Sequence, residues 1–427
     1  MISLHHKGRI TGRTVNKIRR HTTALLFLTA LIGICNSRVI AKPLKVYILA
    51  GQSNMVGAAK IATFDYIGDD PKTMAMLNEM RDSDGKPRMV KDTWISYYQS
   101  HESGDPSGEG FGQLTAGYGG RKNPTKSGDN IGPEFTFGIY MQKALKEPIL
   151  IIKTAWGGKS LYMDLRPPSA GPFELNETEI EKIKQRGGDL EAERIRRKEK
   201  SGAYYRLMMD HVKGVLKDIK RVCPVYDERG GYEISGFVWF QGWNDMVNSG
   251  VYPRRGEKGG YDKYSELLVM FIRDVRKDLK TPKMPFVIGV MGVNGPIENL
   301  SKRYQGIHGN FREAMAAPAA LDEFKGNVLA VRTAPFWDMQ LDRIIKKRDL
   351  YNQRVRQLKN QVKKGELTTE QMAAELKKIE VDAISSQEAA ILKRGASNAA
   401  YHYLGCAKTM ALIGKAFAEA TLELQAK

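Results

Sequence analysis

The stretch KVYILAGQSNMVG, residues 45–57, decides how the rest of the chain is read. Residues 45–50 are an almost unbroken apolar run, as expected of a strand buried on both faces of a parallel sheet. Gly51 turns the chain, and Ser53 follows just past the carboxyl end of that strand. Ligands bind open α/β sheets at that edge. A hydroxyl on such a turn is open to approach, although a lone serine after a strand is more often a simple turn residue.

Working outward, similar short runs rich in Val, Ile and Phe occur at 149–153, 236–241, 286–293 and 328–333. Helical patterns fall between and around them at 132–145, 177–219, 261–279, 310–317 and 405–424. Strands alternating with helices predict an α/β protein, a mostly parallel sheet in a three-layer α/β/α arrangement. Two segments interrupt the alternation. Residues 60–130 are rich in Gly, Asp and Ser and read as a long loop insertion, the kind of loop that usually carries function. Residues 341–394 are rich in Lys, Glu, Gln, Leu and Ala and read as a helical hairpin insertion. It breaks at Gly365, with Thr368 or Thr369 as cap of the second helix and Glu370 in its first turn.

The formal charge is +19. Seven Lys and Arg and no acid lie within residues 1–41, leaving 19 − 7 = +12 for the remainder. Much of that excess sits in helical stretches where acids interleave with the bases, the pattern of a solvated face. No nucleic-acid-binding motif accompanies it, so a nucleic-acid partner is not expected. Residues 1–41 combine a basic region with an apolar run at 23–35 and a small residue, Ala41, before Lys42. The run is shorter than the ~20 residues of a membrane span. It reads as a secretory signal peptide, which predicts export to the periplasm or outside the cell without stable membrane association after cleavage. An uncleaved anchor is the alternative. Cys223 and Cys406 then remain, either as a disulfide or as two buried thiols.

Three further strings carry chemistry. In ILIIKTAWGGKSL, 149–161, a strand runs into Gly157 and Gly158, which permit close backbone approach. In GFVWFQGWNDM, 236–246, a strand delivers Gln241, Asn244 and Asp245 to the same edge. In SNAAYHYLG, 397–405, His402 offers a base whose ordinary pKa of ~6.5 suits proton transfer near neutrality. No His, Cys and Asp cluster has metal-ligand spacing, so neither a metal nor a cofactor is expected.

Together the four strings resemble, in order, the signature blocks of the SGNH hydrolases, in particular the sialate O-acetylesterase-like branch and carbohydrate esterase family six. The resemblance implies an SGNH/flavodoxin-like fold and a serine esterase that removes acetyl groups from an O-acetylated carbohydrate. It makes Ser53 the nucleophile and His402 the general base. It assigns the oxyanion to the N–H groups of Ser53 and Gly158 and to either Asn244 or Gln241. Gln52, Asn54, Trp156 and Trp243 are then expected near the substrate, with Trp337 a further aromatic at a strand end. There are two departures: Trp243 stands where the sialate-esterase branch carries Glu, and the second lies just before the histidine. The family usually places Asp three residues before the His, and this chain has Ala399. A base needs a partner that fixes its tautomer. Asp245, Glu134 and Asp338 are the candidates, in that order, and a dyad without an acid is a further option. A non-catalytic carbohydrate-binding protein with the same fold is the rival reading.

Overall fold

The structure is a computed structural model that describes residues 42–99, 108–121, 123 and 126–426. The expected signal peptide, residues 1–41, lies outside the described residues. Seven strands form one sheet: β1 (Leu44–Gly51), β3 (Thr93–Tyr98), β4 (Glu109–Gln113), β6 (Ile149–Ala155), β7 (Tyr232–Phe240), β8 (Phe286–Val290) and β9 (Val328–Arg332). Their order is β4-β3-β6-β1-β7-β8-β9. All neighbours are parallel except β4, which runs antiparallel to β3 at one edge. Two short strands, β2 (Ala59–Lys60) and β5 (Asn130–Ile131), pair separately.

Side-chain alternation along β7 sets the layers. Phe237 and Trp239 point to one face and meet Phe271 of the helix Asp262–Asp278, at 6.0 and 4.2 Å between ring centroids. Phe240 points to the other face and meets Phe417 of the helix Ala407–Gln425 at 5.3 Å. The helix Glu134–Leu145 packs beside that C-terminal helix. Gly414 makes this possible, because a Cβ there would lie 2.2 Å from the Pro133 carbonyl oxygen. The three-layer α/β/α architecture expected from the alternation is therefore present. Among the described residues no helix is long and apolar enough to cross a membrane.

Three expectations change. Residues 60–130 are not a loop: they supply β3, β4, a 3-10 segment Ile61–Asp69 and the helix Pro71–Met80. β3 lies inside the sheet, although Thr93 and Ser96 dilute its apolar pattern. The long helix expected at 177–219 is four pieces, broken at Gly187-Gly188, at Ser201-Gly202 and at Asp218. Glycine without a Cβ adopts the positive φ of 66° at Gly187 and 67° at Gly202 that ends such helices. The strands at 286–293 and 328–333 stop at Val290 and Arg332. Of the two options left open for Cys223 and Cys406, the structure has the separate buried thiols.

Residues 339–379 form a long helix Met339–Lys363 and a second, Thr369–Ile379. Thr368 caps the second in a reciprocal capping box with Gln371.

The register fixes the level at which the central strands end. Gly51 of β1 pairs with Ala155 of β6 and with Phe240 of β7. A Cβ on Gly51 would stand 2.1 Å from the Phe240 carbonyl oxygen, so only glycine lets the strands leave the sheet this close together. Gly51→Ala should cost about 3 kcal/mol or more, because the clash is with backbone that cannot rotate away. Urea denaturation of the variant checks this; an unchanged midpoint would contradict it.

Candidate active site

Because Gly51, Ala155 and Phe240 are level, the residues that follow them emerge on one edge. Ser53 comes two residues after Gly51 and opens the helical turn Ser53–Val56. Gly157 and Gly158 follow Ala155, both exposed, and Gly158 takes a positive φ of 72° with open space where a Cβ would be. Asn244 follows Phe240 in the short helix Trp243–Met246. Three neighbouring strands thus present a hydroxyl, a glycine turn and an amide together.

The amide is held by Gln52. Gln52 Nε2 donates to Asn244 Oδ1 at 3.1 Å. Gln52 Oε1 in turn accepts from the Gly242 N–H at 3.0 Å and from Gln241 Nε2 at 3.2 Å. Asn244 is half-buried, and with its oxygen engaged its NH2 group is the end left to donate. Gln52, expected to touch substrate, is 1% exposed and is a scaffold for Asn244 instead. Gln241, the alternative oxyanion donor, is not available. Its Nε2 is spent on Asp245, Lys159 O and Gln52, and its Oε1 accepts from Tyr264.

His402 arrives from the C-terminal part of the chain. Residues 397–405 close into a tight loop: the N–H groups of Ser397 and Asn398 both donate to Leu404 O, at 2.8 and 2.9 Å. Tyr403 and Leu404 are left-handed, with φ of 51° and 61°. Non-glycine residues pay of order 1 kcal/mol for this conformation and keep it only where the surroundings enforce it. Tyr403 is the enforcement. Its buried hydroxyl accepts from the Gly292 N–H at 2.7 Å and bonds Thr333 Oγ1 at 2.6 Å, tying the loop to the ends of β8 and β9. Asn54 ties it to the Ser53 turn, donating through Nδ2 to Tyr401 O at 3.1 Å. Asn54, expected at the substrate, is buried by this role. One bond between the neighbours of Ser53 and His402 therefore brings the two sequence-distant segments together. Burial lowers the His402 pKa below the ordinary histidine value. Its Nδ1 lies 3.0 Å from Asn398 Oδ1.

None of the three carboxylates proposed as partner occupies that position. Asp245 is fully buried and accepts from the N–H groups of Leu161 and Tyr162, from Gln241 and from Tyr252. Burial pushes its pKa up to about 6 against those four donors. It fastens the β6 turn to the β7 turn. Glu134 is buried against Lys153, with Oε2 and Nζ at 2.7 Å. Lys153 also donates to the carbonyls of Val56 and Tyr118, so this ion pair braces the far end of the Ser53 turn. Burial pushes the Lys153 pKa down to about 8 despite the carboxylate. Asp338 caps the long helix at Leu341 N, accepts from Tyr66 and pairs with Lys408.

The aromatic residues divide. Trp156 is buried between Tyr98 and Tyr204, a packing role rather than the sugar-stacking one expected. Trp337 is likewise buried and lies against Tyr403. Trp243 is half-buried and pairs with the exposed Tyr401 at 5.9 Å. Tyr401 in turn touches the His402 ring at 4.5 Å. The sequence reading passed over Asn398, Tyr401 and Lys153. The first two sit within the SNAAYHY string, so adjacency to the histidine was an available signal.

Without Lys153, Glu134 would keep only the Gly132 N–H as a partner and lose its counter-charge in the interior, which should be expensive. Lys153→Met should lower stability by about 3–5 kcal/mol, and adding Glu134→Leu should recover most of that loss. Denaturation of the single and double variants checks it, and simply additive losses would contradict the coupling.

Comparison with curated proteins returns no match. Among solved structures, an X-ray structure of a protein from Arabidopsis thaliana is similar at 16% identity, over 68% of this chain and 86% of that one, with a TM-score of 0.34. A carbohydrate acetylesterase from Xanthomonas citri is similar at 15% identity, over 67% of this chain and 49% of that one, with a TM-score of 0.33. This chain spans about half the length of that second protein. The family model described as carbohydrate esterase, sialic acid-specific acetylesterase matches residues 43–319. The match takes in Ser53, Gly158 and Asn244 and ends before the helical hairpin and His402. Over that span the chain belongs to the carbohydrate esterase family of sialic acid-specific acetylesterases.

Proposed function

We propose that this carbohydrate esterase hydrolyses O-acetyl groups on a sugar through an acetyl-serine intermediate. The observation that carries the reading is the shared edge itself. Level strand ends deliver Ser53, the Gly157-Gly158 turn and Asn244, and the Asn54–Tyr401 bond adds the His402 loop.

Ser53 Oγ attacks the acetyl carbonyl while His402 Nε2 takes its proton. The tetrahedral oxyanion is held by N–H groups of the Ser53 turn and the glycine turn and by Asn244 Nδ2. The first N–H groups of a helical turn have no intrahelical acceptor and are free to donate. His402 returns the proton to the sugar oxygen as it leaves. Water then repeats the sequence on the acetyl-enzyme and releases acetate. Trp243 and Tyr401 form the wall beside His402, suited to the apolar face of a sugar ring. An acetylated polysaccharide and an O-acetylated sialic acid are the substrates to compare. The signal-like residues 1–41 fit action outside the cytoplasm.

Acetate release from acetylated xylan and from O-acetylated sialic acid tests this. Ser53→Ala and His402→Ala should each fall by roughly 1,000-fold or more in kcat. Asn244→Ala should lose roughly 100-fold, in kcat more than in KM. A Ser53→Ala enzyme with intact activity would overturn the assignment. Sugar binding without any acetate release would favour the non-catalytic reading. The acid limb of kcat/KM is also fixed in direction. His402 acts when neutral, its neutral fraction is lost as pH falls through its pKa, and burial lowers that pKa. The limb should therefore lie below ~6.5.

A further inference from the structure

We infer that Asn398 is the positioning residue for His402 and stands in for the acidic member of a Ser-His-acid triad, giving a Ser53–His402–Asn398 arrangement. The inference rests on the serine esterase reading of this site.

Two nitrogens converge on Asn398 Oδ1. The Ala399 N–H donates to it at 2.8 Å. A backbone N–H can only donate, so the atom receiving it is the amide oxygen rather than the nitrogen. His402 Nδ1 lies 3.0 Å from that same oxygen. An amide oxygen only accepts, so Nδ1 carries the proton. In the neutral ring Nε2 is then bare. That is the tautomer a general base requires, with its lone pair on the nitrogen that takes the serine proton.

The loop holds this geometry from both ends. Asn398 N–H is tied to Leu404 O, and His402 N–H to Ala399 O at 3.0 Å. Ser397 Oγ donates to Gly405 O at 2.7 Å and accepts from the Lys60 N–H of β2 at 3.2 Å. A Cβ on Gly405 would lie 2.6 Å from Asn398 N, so the loop closes only with glycine there. The turn from Ala399 to His402, closed by the His402 N–H on Ala399 O, brings the residue four before His402 to Nδ1. Ala399, at the position three before it, offers only a methyl group.

An amide differs from a carboxylate in one respect that kinetics can read. It orients the ring but carries no charge to favour the imidazolium. The charged groups on the elements packed around the loop are engaged elsewhere. Lys60 on β2 pairs with Asp129 at 3.9 Å, and Lys408 on the C-terminal helix pairs with Asp338. Arg312, behind Tyr403, donates to Val293 O. The Ser53 turn contributes Ser53 and Asn54, both uncharged.

Three measurements on the full chain test the assignment. In Asn398→Ala, kcat should fall roughly tenfold with KM little changed. In Asn398→Asp, kcat should be largely retained and the acid limb of the pH profile should move to higher pH, because a carboxylate stabilises the protonated ring. Nitrogen-15 NMR of the imidazole above its pKa should show His402 protonated at Nδ1 in the native protein and mixed tautomers in Asn398→Ala. This readout needs no turnover and applies even if Ser53→Ala shows that the esterase reading has failed. A native His402 protonated at Nε2 would overturn the inference. So would an Asn398→Ala enzyme with unchanged kcat, or an Asn398→Asp enzyme with an unmoved acid limb.

Discussion

Gly51 passes against the Phe240 carbonyl so closely that a single added carbon has no room. The remainder of the site depends on that approach. It holds β1, β6 and β7 level where they leave the sheet, so that the turns following each strand meet one another rather than diverging. A parallel sheet with staggered strand ends would scatter the same residues. The crevice at such an edge is where open α/β folds bind ligands. Here it is assembled from β1 and its two neighbours.

Around that edge the chain invests in buried polar bonds rather than apolar packing alone. Gln52, Gln241 and Asp245 form a network that sets the orientation of Asn244 and fastens the β6 turn. Lys153 and Glu134 brace the turn that carries Ser53. Buried groups of this kind are costly when left without partners, and fully satisfied they specify one arrangement. The residues in the networks are therefore supports. The groups left to act are few: the Ser53 hydroxyl, the Asn244 amide, the exposed glycine turn and His402.

The sequence was legible where chemistry and pattern coincide. The five apolar runs, the glycine turns and the serine and histidine strings each carry a local signal, and the alternation of elements fixes the fold class. The expected loop at 60–130 failed for a physical reason. β3 contains Thr93 and Ser96, and β4 contains two glycines, so neither shows the apolar run by which the other strands are recognised. Side-chain commitment was likewise invisible. Gln52, Asn54 and Gln241 have the right chemistry for binding substrate, and only their burial shows that the chain itself uses them. The partner of His402 was hidden by backbone geometry. Spacing rules look three residues back, whereas the turn closed between Ala399 O and the His402 N–H brings Asn398 to the ring from one residue further back.

The central claim is that Ser53 is the nucleophile placed by the level strand ends. Labelling of the full chain with a serine-reactive organophosphonate, followed by peptide mass spectrometry, tests it most directly. The account predicts one adduct, on the peptide bearing Ser53, with activity lost in proportion to labelling. An adduct on another serine that abolishes activity, or esterase activity that persists with Ser53 fully labelled, would contradict it.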